Sequence, residues 1–404
     1  KDVSVMRGDE VFTCKADNII VATGAAENAL PFEGWTLPGV MGAGAAQTLM
    51  NLHGVMPGKR VLMMGSGNVG LVVAMQLKQV GCEVVAIVDA APRIGGYGVH
   101  AAKLARTGIP FYIGHTIVRA EGEEFVKHAV IGEVDKSWQV IPGTEKTFDV
   151  DTICIAVGLS PMYQLDKMAG CNVKDERLKG GMHAVVNQYG ETDKPGIFAA
   201  GDVTGIEEAS SAMISGRIAG AAVAARAGYI TKEEHGRRHE EYRASLMRLR
   251  QGMFAGENKG NPNVAETAEG IPLSSSLLIK GYLQDDEIQR FPGYTKNTSG
   301  FHPVVECTQN IPCNPCQDAC PNGCIYVGND ISSLPQIRAQ KTCSACGMCV
   351  SACPGQAIFL VNEAYAPGYA AVVLPYEFFP VPEVGQKGYA LNRGGDRVCE
   401  AEVV

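Results

Sequence analysis

Nine of the fourteen cysteines in this chain fall between residues 307 and 353, and no other feature limits its fold so strongly. They are Cys307, Cys313, Cys316, Cys320, Cys324, Cys343, Cys346, Cys349 and Cys353; Cys14, Cys82, Cys154, Cys171 and Cys399 are scattered. A chain of 404 residues that is 46% hydrophobic can bury ordinary cores and needs no disulfide staples. Clustered thiols in such a chain read as metal ligands, and a reducing cytoplasm is the compartment expected for it. The second half of the block, Cys343 to Pro354, spells C-x2-C-x2-C-x3-C-P. Three thiolates two residues apart wrap three corners of one iron–sulfur cube, and the next one reaches across to a second cube. The first half, Cys307-x5-Cys313-x2-Cys316-x3-Cys320-Pro321, echoes this run with a longer opening loop.

The run resembles that of bacterial ferredoxins. The resemblance implies an α+β ferredoxin-like domain over residues 301–362 with two 4Fe-4S clusters. One cluster is expected on Cys343, Cys346, Cys349 and Cys320, the other on Cys307, Cys313, Cys316 and Cys353. Cys324 is left over as a small buried residue. A pair of zinc sites is the competing metal reading; it accounts for the C-x2-C pairs but not for the crossed C-x3-C-P echo.

A second site is written at Gly65-Ser66-Gly67-Asn68-Val69-Gly70, a G-x-G-x-x-G turn between the apolar strand 60–64 and a helix with apolar residues at Val69, Val72, Val73 and Leu77. The first glycine makes the tight turn, the second admits a pyrophosphate, and the third lets helix and strand pack closely. Unpaired N–H groups at the helix start then face the anion. Asp89 ends the next strand, where a carboxylate accepts from ribose hydroxyls and repels a 2′-phosphate, so NAD(H) is expected over NADP(H). Arg93 stands close enough to soften that preference.

Buried strands ending in glycine turns recur at Ala22-Thr23-Gly24, Val157-Gly158 and Ala200-Gly201-Asp202. A long Ala-rich helix is expected over about 210–227, closed by Gly228. Mixed charges at helical spacing over 233–250 predict a solvated helix. Periodicity fades over 251–300, which reads as a linker or partner-facing segment, and 363–404 reads as a short β-rich tail. The net charge is −8 with no basic tract, which argues against a duplex nucleic-acid binder. No apolar run is long enough to span a membrane, and the start has no signal-peptide core. Because it does not open on Met, the chain is expected to begin inside a longer product or after processing.

In this order the glycine motifs resemble the two-dinucleotide-domain flavoproteins of the pyridine nucleotide-disulfide oxidoreductase fold. More closely, the chain is similar to the alpha subunits of multisubunit amino-acid dehydrogenases of the proline, hydroxyproline, opine and sarcosine type, and to hydrogen cyanide synthase. The most specific stretches are Ile311-Pro-Cys-Asn-Pro-Cys316, Ala91-Pro-Arg-Ile-Gly-Gly96 and Leu374-Pro-Tyr-Glu-Phe-Phe-Pro380. The resemblance implies an α/β chain with two Rossmann-like dinucleotide-binding domains. An incomplete FAD part over 1–50 and 158–250 would hold an inserted NAD part over 51–157, followed by the ferredoxin-like domain and the tail. It places Asp202 on the ribitol of FAD, Ala209 at a helix start aimed at the flavin, Thr23 and Gly24 against FAD, and Gly158 at the domain junction. The family's own N-terminal FAD fingerprint has no counterpart in the 21 residues before Ala22. Two explanations stay open: the sequence is a fragment, or a separate chain carries that half of the FAD site, which would put Asp202 and Thr23 at a subunit interface.

The cofactors FAD, NAD(H) and two clusters then define an electron path, with no acid–base pair assigned to bond making. No cysteine pair adjoins the nucleotide motifs, so thioredoxin-reductase-like disulfide chemistry is not expected. The resemblance implies, as partner, a flavoprotein subunit that oxidises an amine. Two alternatives stay open: an NADH:ferredoxin-type reductase subunit without amino-acid chemistry, and a non-catalytic electron-transfer subunit.

Overall fold

The computed structural model describes residues 1–251, 266–267, 269–296 and 299–404, and the chain divides into two compact units. One comprises residues 1–28 and 158–260, the other 29–157 and 261–404.

The second unit is built on a five-stranded parallel sheet in the order Val40–Gly42, Thr152–Ile155, Arg60–Met64, Glu83–Asp89, Phe111–Ile113. Strand periodicity of two explains its cores. Val61, Met63, Ile87 and Cys154 point to one face and pack with Leu71, Ala74 and Leu77 of the helix Asn68–Gln79 and with Leu104 of the helix Gly98–Ala105. Leu62, Met64, Val88, Ile153 and Ile155 point to the other, against Ile117, Ala129 and Ile131 of an antiparallel sheet formed by His115–Glu121, His128–Glu133 and Lys146–Asp149. Both faces of the parallel sheet are thus covered, as such sheets require. This is the Rossmann-like α/β core expected from the glycine turn.

Two boundaries differ from the sequence expectation. Val40–Gly42 pairs with Ile153–Ile155 and joins this sheet, the helix Ala43–His53 that follows packs into its core, and the chain changes unit between Asn28 and Ala29 rather than at residue 50. Residues 269–296, expected as linker, fold into the short helices Ser275–Lys280 and Asp285–Ile288, with Leu277, Leu283, Ile288 and Phe291 buried. One or two turns of helix are too short to leave a readable period, so the pattern hid them. The rest of that expected segment, 252–265, 268 and 297–298, lies outside the described residues.

The cysteine-rich segment belongs to the same unit. The strand His302–Val305 pairs antiparallel with Ile358–Ala366, which pairs with Tyr369–Val373. The helices Pro315–Ala319 and Met348–Ala352 and the pair Ile325–Tyr326 with Gln336–Ile337 enclose a small core of Val305, Cys316, Ile325, Cys349, Val350 and Leu360. The expected tail contains the hairpin Lys387–Leu391 with Arg397–Glu402, and Phe378 packs on the helical side of the parallel sheet.

In the first unit, Ile19–Val21 runs parallel to Ile197–Ala199, and Ala25–Glu27 runs antiparallel to Leu159–Pro161. The helices Ala209–Arg226 and Lys232–Leu249 form a hairpin. Only Leu246 of the second is buried, as its alternating charges predict. Among the described residues no helix is long and apolar enough to cross a membrane.

Candidate functional site

The glycine turn shows a separate steric demand at each of its three glycines. Gly65 has φ +112°, and a Cβ there would lie 2.2 Å from the Ala156 carbonyl oxygen, so only glycine fits. A Cβ on Gly70 would lie 2.1 Å from the Gly65 carbonyl oxygen, which is what lets the helix start press on the strand end. At Gly67 a Cβ would meet nothing within 4 Å. Gly67 is also the N-cap of Asn68–Gln79 and supplies no side-chain cap, so no side chain of the turn caps the first N–H groups of the helix. Val69 itself is exposed rather than part of the buried helix face.

Asp89 is held against the turn. One carboxylate oxygen accepts the Ser66 N–H at 2.7 Å and the Ser66 hydroxyl at 2.6 Å, and the other accepts the Ala91 N–H at 2.9 Å. The loop that follows folds back over the turn. Gly95 N–H donates to Ser66 Oγ at 3.1 Å, Gly96 N–H to the Ser66 carbonyl at 2.8 Å, and Tyr97 N–H to Asn68 Oδ1 at 2.8 Å. Sequence reasoning did not place this loop; its signal is the Gly95-Gly96 pair, since a Cβ on Gly96 would lie 2.9 Å from the Asn68 nitrogen. Arg93, on the same loop, is half-buried, and burial lowers its pKa from the ordinary arginine value.

In the first unit, two other turns leave the same ends of neighbouring parallel strands. Ala200 N–H donates to the Val21 carbonyl at 3.0 Å, which sets Thr23-Gly24 beside Gly201-Asp202. Thr23 Oγ1 donates to the Met162 carbonyl at 2.6 Å, and Gly24, at φ +71°, faces open space. Gly158, at φ +114°, accepts the Asn28 N–H at 3.0 Å through its carbonyl. Gly201 N–H donates to Ser215 Oγ at 2.8 Å, and Asp202 Oδ1 accepts the Glu207 N–H at 3.2 Å. Ala209 opens the 18-residue helix with no side-chain cap, leaving its first N–H groups available.

The block thiols gather in two groups. Burial first, then the charge of Cys353, pushes Cys313 up to about 11 and Cys316 up to about 12. Cys307 is driven well above an ordinary thiol by burial and by Cys353, Cys313 and Cys316. In the other group, burial and the charges of Cys320, Cys343 and Cys346 raise Cys349 to about 11. Cys320 is lowered: burial opposes this, but the N–H groups of Ile325, Cys324 and Asn322 stabilise its thiolate. Cys324, expected as a spare residue, is buried but not apart. Its thiol is raised to about 11 by burial and by Cys320, with Cys343 and Cys349 also acting on it, so it stands as a fifth thiol of that group. It shares one cavity with Cys320, Cys343, Cys346 and Cys349. All fourteen cysteines are free. Among the described residues no three Cys, His, Asp or Glu side chains close tightly enough to hold a single metal ion.

Comparison with known proteins bears on this arrangement. A family model described as pyridine nucleotide-disulphide oxidoreductase matches residues 1–228. The chain is 27% identical over 263 residues to hydrogen cyanide synthase subunit HcnB of Pseudomonas protegens, covering 60% of this chain and 55% of that protein. It is 30% identical over 218 residues to one of the opine oxidase subunits of Agrobacterium tumefaciens, covering 51% and 43%. It is 26% identical over 226 residues to the alpha subunit of sarcosine oxidase from a Corynebacterium species, covering 55% and 22%. The chain thus spans about half the length, or less, of these relatives. With more than half of its residues matched and a Rossmann turn built as described, the chain belongs to the pyridine nucleotide-disulphide oxidoreductase family, the flavoproteins that bind FAD and a pyridine nucleotide.

Proposed function

We propose that this chain is an electron-transfer subunit of a heteromeric amino-acid or imino-acid dehydrogenase, linking NAD(H), FAD and two 4Fe-4S clusters. The observation that carries the cluster reading is the crossed grouping of thiols. Cys353, from the second half of the block, acts on Cys307, Cys313 and Cys316, while Cys320, from the first half, acts on Cys349. An all-thiol donor set suits iron–sulfur chemistry. A cube also spaces its four ligands more widely than a single ion does, which fits thiols that face one another without closing. The relatives named as subunits of hydrogen cyanide synthase, opine oxidase and sarcosine oxidase support a place in a complex.

The chain's own residues would act by binding and orientation. The open space at Gly67 admits the pyrophosphate of NAD(H) to the N–H groups of Asn68 and Val69. Asp89, already aligned by Ser66 and Ala91, would accept from a ribose hydroxyl. Thr23, Gly24, Gly158, Asp202 and the helix start at Ala209 would line the flavin end of FAD. A bound flavin would supply the exchange between two-electron hydride transfer and single-electron transfer.

Anaerobic cofactor analysis of the native complex, with mass spectrometry of its chains, tests the reading. About eight irons and one FAD per copy are expected, two cubes contributing four irons each. Adding proline, sarcosine or an opine should then bleach the flavin. Bleaching by NADH but by no amine would instead make the chain a reductase subunit without amino-acid chemistry.

A further inference from the structure

The two thiol groups differ in what surrounds them. The Cys320 group opens outward: Cys346 is exposed, as are Ser344 and Ala345 beside it. The Cys307 group is turned inward against the helix Gly98–Ala105, which follows directly from the loop covering the nucleotide turn. Gly98 N–H donates to Gln309 Oε1 at 2.5 Å, and Gly355 packs on Val99. At the end of that helix stands Arg106, its side chain only 20% exposed. Its guanidinium donates to the Gln356 carbonyl at 2.9 Å, lies 3.8 Å from Glu306 Oε2, and covers the Phe359 ring at 5.1 Å. It therefore touches the chain on both sides of the group, the Glu306 side chain one residue before Cys307 and the Gln356 backbone three residues after Cys353. Lys103, one turn earlier, and Arg106 both lie within electrostatic reach of the Cys353 sulfur. Glu306 is shared, because Arg393 from the tail hairpin donates to its other oxygen at 2.7 Å. Arg106 and Arg393 thus share the Glu306 carboxylate at this end, with Asp285 also pairing with Arg393 and Glu377 acting on Lys103.

We propose that Arg106 of the nucleotide-binding domain is a redox-tuning residue for the inner cluster, that of Cys307, Cys313, Cys316 and Cys353, and raises its reduction potential. The inference rests on the cluster reading above. One electron added to a 4Fe-4S core makes the core one charge more negative, with no bond made or broken in the protein. A guanidinium fixed nearby in a poorly solvated site stabilises the reduced core more than the oxidised one. The guanidinium stays charged, as arginine does in proteins, and Glu306 holds it in place. Arg106 would thereby make the cluster beside the nucleotide domain a better electron acceptor than its ligands alone would allow. The Cys320 cluster is left as the station that faces outward.

The test is a potentiometric titration of the native complex followed by electron paramagnetic resonance, which reads cluster potentials without turnover. Cys353→Ala identifies the inner wave as the one it removes. Arg106→Met should move that wave to more negative potential and leave the other in place, while Arg106→Lys should return it towards the original value. Glu306→Gln, which removes the opposing charge, should move the same wave the other way, and it decides the matter if Arg106→Met does not assemble. Two waves that stay unmoved in both variants, or that shift together, would overturn the tuning role and leave the cluster reading standing. Absence of iron from the wild-type complex would overturn both.

Discussion

The three turn glycines make separable demands, so their substitutions should fail in different ways. Gly70→Ala forces a methyl onto the Gly65 carbonyl, and overpacking of this kind typically costs about 1–3 kcal/mol, so thermal unfolding should fall by several degrees. Gly67→Ala meets no protein atom and should leave the unfolding temperature unchanged while raising the KM for NADH in a dye-reduction assay. Equal loss of stability in both would mean that Gly67 is structural. Asp166 offers a pH test. Its carboxylate is fully buried with no side-chain or main-chain hydrogen bond to another residue, and burial pushes its pKa up to about 6. The folded chain therefore holds this proton more tightly than the unfolded chain does. Its contribution to stability is complete below about pH 4 and is lost as pH rises through about 6. Asp166→Asn should raise stability by about 3 kcal/mol at pH 7 and by only about 0.5 kcal/mol at pH 4. Denaturant curves at the two pH values check this, and an unchanged difference would show that the carboxylate is solvated.

Among the short elements, the turn Pro321 to Cys324 carries a fifth thiol into the Cys320 group. The chain can then offer two thiols, four residues apart, for one ligand position. Cys320→Ala alone is expected to keep most of its iron, with Cys324 taking the vacant position. The double variant Cys320→Ala/Cys324→Ala should lose about four irons per chain. Iron analysis after anaerobic purification reads this directly, and full loss in the single variant would return Cys324 to a packing role. The helix Lys232–Leu249 stands on local chemistry. Thr231 accepts the Glu234 N–H at 3.2 Å, and Glu234 pairs with Arg237 and Arg238. Thr231→Ala should cost about 1 kcal/mol, seen as fraying by hydrogen exchange at the first turn.

For the chain as a whole, the elements that period and punctuation mark strongly were readable from the order of residues. The βαβ unit around Gly65, the Ala-rich helix closed by Gly228 and the charged helix after it all lie within a residue or two of their expected bounds. Short runs of apolar residues and glycine spacing carry that information locally. What was not readable depends on distant partners. Val40–Gly42 joins the parallel sheet because it meets Ile153–Ile155, more than a hundred positions away. Residues 269–296 are packed because Leu277 and Ile288 find a core that no local pattern announces.

The letters of the chain carried the nucleotide turn, the acid at the end of its second strand, and the cysteine spacing, because each rests on chain-local geometry that allows few residue types. The folded chain was needed to show that Ser66 and Ala91 fix Asp89, that a glycine loop lies over the turn, and that Cys324 stands with Cys320. Most of all, it was needed to bring Arg106 beside Glu306 and Gln356, 200 and 250 positions further on. Burial and charge act through space, and sequence separation says nothing of that distance.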